Sequence, residues 1–168
     1  MRIELEVSLD PTLGCGQAHR WKKQEDGSWE GVWRDRIINI RQLTPDSIEV
    51  TGTDDRKGIS RYLGADDDLE YIISNISNRD PYVAKLAENC PGMRILRQDH
   101  WECLATYLLA TNANVARIGQ MVESVCTHYG KDLGGLHAFP TPKQILDGAD
   151  TIGECRLGFR EQRFVTLA

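Results

Sequence analysis

"RQDHWECLATYLLATNANVARIGQMVESVCTHYG", Arg97 to Gly130, decides the class of fold. Apolar residues recur at three- and four-residue spacing on both sides of Thr111-Asn112-Ala113-Asn114, which predicts two amphipathic helices and a short link. Trp101, Leu104, Ala105, Leu108 and Leu109 make the first stripe, and Asp99 with Glu102 gives a start resembling a capping box. Val115, Ile118, Val122, Val125 and Tyr129 make the second, and Gly130 is its stop. Two asparagines fall at this buried-looking junction. Asn114, just ahead of Val115, is placed to cap the second helix by accepting from its free amides. Capping leaves Asn112 unexplained.

Outward from these helices the hydrophobic period changes. In "MRIELEVSL", Ile3, Leu5, Val7 and Leu9 alternate with polar residues, the period of a half-buried strand. Asp26-Gly27, between "HRWKKQ" and "SWEGVW", signals a hairpin with tryptophans on both arms. "RIINIRQL" and "SIEVTGT" flank the turn "TPD". Residues 1–65 therefore predict an antiparallel β domain with one apolar face. From Asp66 onward, "DDDLEYIISNIS" has an acidic helix start, and "DPYVAKLAENC" has Asp80 as cap and Pro81 at the first helical position. Residues 66–168 predict a helical region, and the whole is α+β. The last stretch, "GFREQRFVTLA", begins an amphipathic helix that stops within its stripe. It reads either as a short helix docked on the core or as a helix cut off from later partners.

The 168 residues suffice for one ordinary domain or two small ones, and 40% hydrophobic with 27% charged is globular composition. No apolar run reaches membrane-spanning length, and the charged N-terminus is no signal peptide, so an intracellular protein is expected, cytoplasmic in a prokaryote. Net charge is −5, with the acidity in the first half: residues 1–80 carry 11 Lys and Arg against 16 Asp and Glu, and residues 81–168 carry 9 against 9. A local basic surface on the second half is therefore compatible with the composition.

The five cysteines, Cys15, Cys90, Cys103, Cys126 and Cys155, are odd in number and widely spaced, which argues for free thiols. His100, Cys103, Cys126 and His128 lie on consecutive helices in a spacing that a metal could use. Cysteines packed on apolar helix faces are the commoner arrangement, and no metal is assigned. Cys15 in "GCGQAH" with His19 permits a cysteine hydrolase reading, but no orienting third group accompanies them.

Several stretches taken together are more specific. "GQAHRW" (Gly16–Trp21), "WEGVW" (Trp29–Trp33), "LRQDHWECL" running into "TNANVARI" (Thr111–Ile118), and "RLGFREQRFV" (Arg156–Val165) follow one another in order. At these spacings they resemble the 8-oxoguanine DNA glycosylase/lyases of the helix-hairpin-helix superfamily, from about Leu9 to Val165. The resemblance is to the front portion of that family: a β domain likened to the TATA-binding protein, then the first helices of the helical domain. It implies base-excision repair of double-stranded DNA containing an oxidised purine, with no cofactor, no metal, no membrane, and a monomeric complete enzyme.

It also implies roles for particular residues. Guanine N7 is an acceptor whereas 8-oxoguanine carries a hydrogen there, so a backbone carbonyl discriminates the two; in the family it belongs to the glycine before the glutamine, here Gly16. Asn112 fills the gap left by the flipped base. Arg117, with Arg160, reads the orphaned cytosine through guanidinium donors, and Phe159 wedges into the opposite strand. His19, Ala113 and Phe159 depart from the phenylalanine, asparagine and tyrosine of animal members, and His19 would make the base pocket more polar.

The family's chemistry uses a glycine-rich hairpin, a lysine that attacks the sugar C1′, and a downstream aspartate. Nothing here matches: past Lys131 the one lysine is Lys143, in "TPKQ". No catalytic residue is assigned, and the chain reads as the family's front portion, ending before that hairpin. By itself it is expected neither to cleave 8-oxoguanine DNA nor to be trapped on it. The other readings are a non-catalytic DNA-damage-binding module and an alkyl-purine DNA glycosylase.

Overall fold

The computed structural model describes residues 1–168, as five strands and eight α-helices with two 3-10 segments. Strands β1 (Arg2–Glu4), β2 (Trp21–Lys23), β3 (Trp29–Trp33), β4 (Arg36–Thr44) and β5 (Ser47–Thr51) form one sheet in the order β1-β5-β4-β3-β2. β5 lies antiparallel to both neighbours, with Ile3 opposite Ile48 and Ile40 opposite Val50. The alternation read in the N-terminus is real: Ile3, Leu5, Val7 and Leu9 are all buried. The regular strand ends at Glu4, but Leu5 and Val7 still donate to the carbonyls of Asp46 and Pro45. The Asp26-Gly27 turn also forms, with Gly27 at φ +81° and the Asp26 carboxylate accepting from the Ser28 amide and hydroxyl.

The first 65 residues are not all sheet. Helix α1 (Leu9–Gly14) and helix α2 (Arg56–Tyr62) interrupt them. Leu9, Thr12 and Leu13 are buried, three and four apart, a helical spacing too short to stand out beside the preceding alternation. α2 is started by Asp55, whose side chain accepts from the Gly58 amide.

The remaining helices are α3 (Leu69–Ser77), α4 (Pro81–Asn89), α5 (His100–Ala110), α6 (Val115–Tyr129), α7 (Pro142–Asp147) and α8 (Glu161–Leu167). Asp68, Asp80, Asp99 and Asn114 each cap the helix that follows them. The reciprocal capping box is not at α5. Glu102 turns away to face Arg20, and the box forms instead at α7, between Thr141 and Gln144.

The chain divides into two compact units. One comprises Met1–Ala18, Lys22–Glu30 and Ile38–Arg97, so α3 and α4 group with the central strands; the expected β domain of residues 1–65 is not itself a unit. Its core includes Val7, Leu13, Ile38, Ile40, Ile48, Val50, Ile59 and Leu63. The other comprises His19–Trp21, Gly31–Ile37 and Gln98–Ala168. Ala105, Leu109, Met121, Val122, Val125, Ile145, Leu157 and Phe164 form its core. Phe164 is fully buried there, so α8 is docked on the core. Both predicted stripes are shifted by a residue or so: Leu104 and Val115 are exposed, while Thr106 and Met121 are buried.

Gly130 does end α6, for a reason of space. Its φ is −77°, open to any residue, but a Cβ there would lie 1.9 Å from the Ala138 carbonyl oxygen and 2.5 Å from that of Cys126.

Candidate nucleic-acid interface

Two loops of the second unit are tied to one another. The first links α5 to α6 and runs through Thr111, Asn112, Ala113 and Asn114; the second runs from Arg156 to Arg160 and includes the 3-10 turn Gly158–Arg160. Arg160 is buried, and its guanidinium reaches across to the first loop. Nε donates to the Thr111 carbonyl at 3.0 Å, and Nη2 donates to the carbonyls of Thr111 and Asn112, the latter at 3.2 Å. Nη1 closes the set on the Leu157 carbonyl at 3.2 Å. Arg117, at the start of α6, donates to the Arg156 carbonyl at 2.6 Å. Two arginines thus fasten the loops in opposite directions.

What this leaves at the surface is chemically mixed. The Thr111–Asn114 junction is exposed at Thr111, Asn112 and Asn114, so the asparagines are not at a buried site. Asn114 caps α6 by accepting from the Arg117 amide at 2.9 Å. Asn112 holds a left-handed backbone, φ +52°, which asparagine tolerates better than most residues. Its side chain makes no hydrogen bond within the chain and is open to a partner. Phe159 is 57% exposed, and the Arg160 guanidinium stacks on its ring at 4.3 Å. Asn112, Arg117 and Phe159, singled out from distant parts of the sequence, therefore lie exposed on adjoining segments, with the buried Arg160 joining them. Arg160, however, is held as a clamp on backbone carbonyls.

Gly16 belongs to the first unit. Its φ is +87°, a conformation that glycine adopts at no steric cost. The next residue, Gln17, fastens it: Nε2 donates to the carbonyls of Thr12 and Arg94 at 2.7 and 2.9 Å, and Oε1 accepts from the Leu96 amide at 2.9 Å. Arg94 completes the latch, its Nε and Nη1 donating to the carbonyls of Glu6 and Gly64. Sequence reasoning passed over Gln17 and Arg94. The visible signal was an arginine within the otherwise apolar "GMRIL".

Arg20 was also passed over. Its Nη1 lies 3.5 Å from Glu102 Oε2 and is buried without a hydrogen bond, while Nη2 donates to the His137 carbonyl. Burial pushes the Glu102 carboxyl up, and Arg20 opposes it. Next to Arg20, Trp21 explains a glycine of "WEGVW": a Cβ on Gly31 would come within 2.6 Å of the Trp21 ring. Burial holds the His19 imidazole below its ordinary value.

The two other constellations do not assemble. Cys126 sits in the core with its thiol pushed up to about 12 by burial, while Cys103 is exposed. No three His, Cys, Asp or Glu side chains converge into a metal-binding set. The Cys15 thiol faces the Thr12 carbonyl at 3.8 Å, which does not activate it as a nucleophile.

One face of the second unit thus presents an exposed phenylalanine, an asparagine loop and Arg117, braced from beneath by the buried Arg160. The chain belongs to the 8-oxoguanine DNA glycosylase family, residues 2–104 matching the family's "8-oxoguanine DNA glycosylase, N-terminal domain". It is 32% identical over 155 residues to the N-glycosylase/DNA lyase OGG1 of Arabidopsis thaliana, covering 81% of this chain and 40% of that protein. With the N-glycosylase/DNA lyase of Saccharomyces cerevisiae it shares 31% identity over 92% of this chain and 46% of that one. Among solved structures it resembles the Clostridium acetobutylicum 8-oxoguanine glycosylase/lyase, in complex with double-stranded DNA containing cytosine opposite 8-oxoG. There the TM-score is 0.88 at 25% identity, covering 98% of this chain and 59% of that one. The chain thus spans less than half the length of the curated relatives it matches.

Proposed function

We propose that this chain supplies the damage-recognition and duplex-holding part of an 8-oxoguanine DNA glycosylase/lyase. The observation that carries the reading is the exposed surface formed by Asn112, Arg117 and Phe159, with Arg160 bracing the loops beneath it. On this reading Phe159 enters the base stack and Asn112 occupies the space that the flipped base leaves. Arg117 turns its donors to the orphaned cytosine; Arg160 shares in that only by releasing backbone carbonyls, and as held here it positions Asn112. The Gly16 carbonyl, on a segment latched by Gln17 and Arg94, is the acceptor for the N7 hydrogen of 8-oxoguanine. No residue of this chain is given a catalytic role.

The test is duplex binding by this chain. Preference for an 8-oxoguanine:cytosine duplex over undamaged and alkylated-purine duplexes is expected, with no adduct after borohydride treatment. Tighter binding to the alkylated duplex would favour the alkyl-purine reading, and a trapped adduct would show that a catalytic amine lies within these residues. Arg117→Ala is expected to reduce discrimination for cytosine opposite the lesion by about 1–3 kcal/mol. Discrimination equal to that of the unaltered chain would remove Arg117 from that role.

A further inference from the structure

Three residues other than glycine hold a positive φ: Arg34, Asn112 and Arg156. Two have local reasons. Arg34 lies in the tight turn between β3 and β4, with its guanidinium on the Trp33 ring at 4.2 Å, and asparagine tolerates the left-handed region. Arg156 has neither reason. It closes the 3-10 helix Ala149–Cys155 at φ 54°, ψ 43°, a position where glycine is the usual residue.

Its backbone is secured on both sides. The amide donates to the Gly153 carbonyl at 3.1 Å, and the carbonyl accepts from Arg117. Its side chain is exposed and makes no hydrogen bond or ion pair within the chain. The nearby carboxylates are engaged elsewhere: Glu161 accepts from the Gly158 amide, and Glu154 faces His128 at 3.6 Å. A long cationic side chain thus stands at a strained position three residues before the exposed Phe159.

We propose that Arg156 is a further DNA-contact residue, its guanidinium taking a backbone phosphate beside the base step that Phe159 enters. The proposal rests on the duplex-binding reading above. Three residues span at most about 11 Å, and each strand carries a phosphate every ~3.4 Å of helix axis, so phosphates flanking the wedge fall within reach. The guanidinium fork suits a phosphate, and a phosphate contact does not depend on the lesion.

Arg156→Gly separates binding from architecture because glycine suits the left-handed backbone. The chain, Arg156→Gly and Arg156→Lys are titrated with undamaged and 8-oxoguanine:cytosine duplexes across a salt series. For Arg156→Gly the slope of log K against log salt is expected to shrink by about 0.9. That makes binding about eightfold weaker at 0.1 M salt, with convergence near 1 M, equally on both duplexes. Arg156→Lys is expected to keep most of the slope, and the Tm of Arg156→Gly to stay level or rise by up to about 3 °C. An unchanged slope, or a Tm that falls with the glycine variant, overturns the proposal. If the unaltered chain shows no salt-dependent duplex binding, the interface reading fails and this proposal with it; intact binding with an unaltered slope in Arg156→Gly defeats this proposal alone.

Discussion

Arg94→Ala is expected to lower the stability of the chain by about 4 kcal/mol through the loss of its charge-assisted hydrogen bonds, with duplex affinity falling as well. Arg94 is 6% exposed, and its charge is met by backbone carbonyl dipoles, with no carboxylate in hydrogen-bonding contact. Nε holds Glu6 at 2.6 Å, and Nη1 holds Gly64 at 2.7 Å and Asp67 at 3.4 Å. One side chain therefore pins the run after β1 and the connection from α2 to α3. Its own amide donates to Thr12 Oγ1, and its carbonyl accepts from Gln17, so the same residue steadies the Gly16 turn. Alanine removes several charge-assisted hydrogen bonds together and leaves the buried Gly64 carbonyl with the Asp67 amide alone. Arg94→Lys is expected to recover no more than about half of the loss, since an ammonium lacks the planar fork that serves separate carbonyls. Guanidinium unfolding measures both variants. A cost below about 1 kcal/mol for alanine would show that the latch does not bear on folding.

Arg160→Ala is the second large effect, an expected loss of about 3 kcal/mol in the other unit. Here the guanidinium joins the Thr111–Asn112 carbonyls to its own turn at Leu157 and stacks on Phe159. Without it the loop that carries Asn112 loses its brace, and the exposed phenylalanine loses the charge packed on its face. Faster amide exchange through Thr111–Asn114 should accompany the drop in stability. An arginine held only for reading cytosine predicts something different: stability within about 0.5 kcal/mol of the unaltered chain and a loss confined to DNA binding. The two measurements together decide whether Arg160 is a brace, a reader, or a residue that exchanges one task for the other on meeting DNA.

Much of the candidate surface could be read in the sequence because its parts carry recognisable residue orders. "TNANVARI" and "GFR" marked Asn112, Arg117, Phe159 and Arg160, and these do lie on adjoining loops. The bonds between those loops could not be read. Nothing in "GFR" says that its arginine is buried, or that the carbonyls it meets belong to the asparagine loop. Arg156 was invisible for a related reason: its interest lies in a backbone angle and in the absence of a partner.

The sequence by itself determined the features whose causes lie within a few residues. Alternation placed Ile3, Ile48 and Val50 inward; Asp-Gly turned the β2–β3 hairpin; Asp68, Asp80 and Asn114 started their helices. Each is a contact between near neighbours, so spacing alone encodes it. Only the tertiary structure decided that Glu102 leaves its cap for Arg20, that Gly130 is required by the Ala138 carbonyl, and that Arg94 and Arg160 become buried clamps. The partners of Glu102, Arg94 and Arg160 lie far off along the chain, and that of Gly130 lies beyond a loop. A buried charge must take whatever acceptors the packed segments bring to it, and hydrophobic periodicity carries no record of which segments those are.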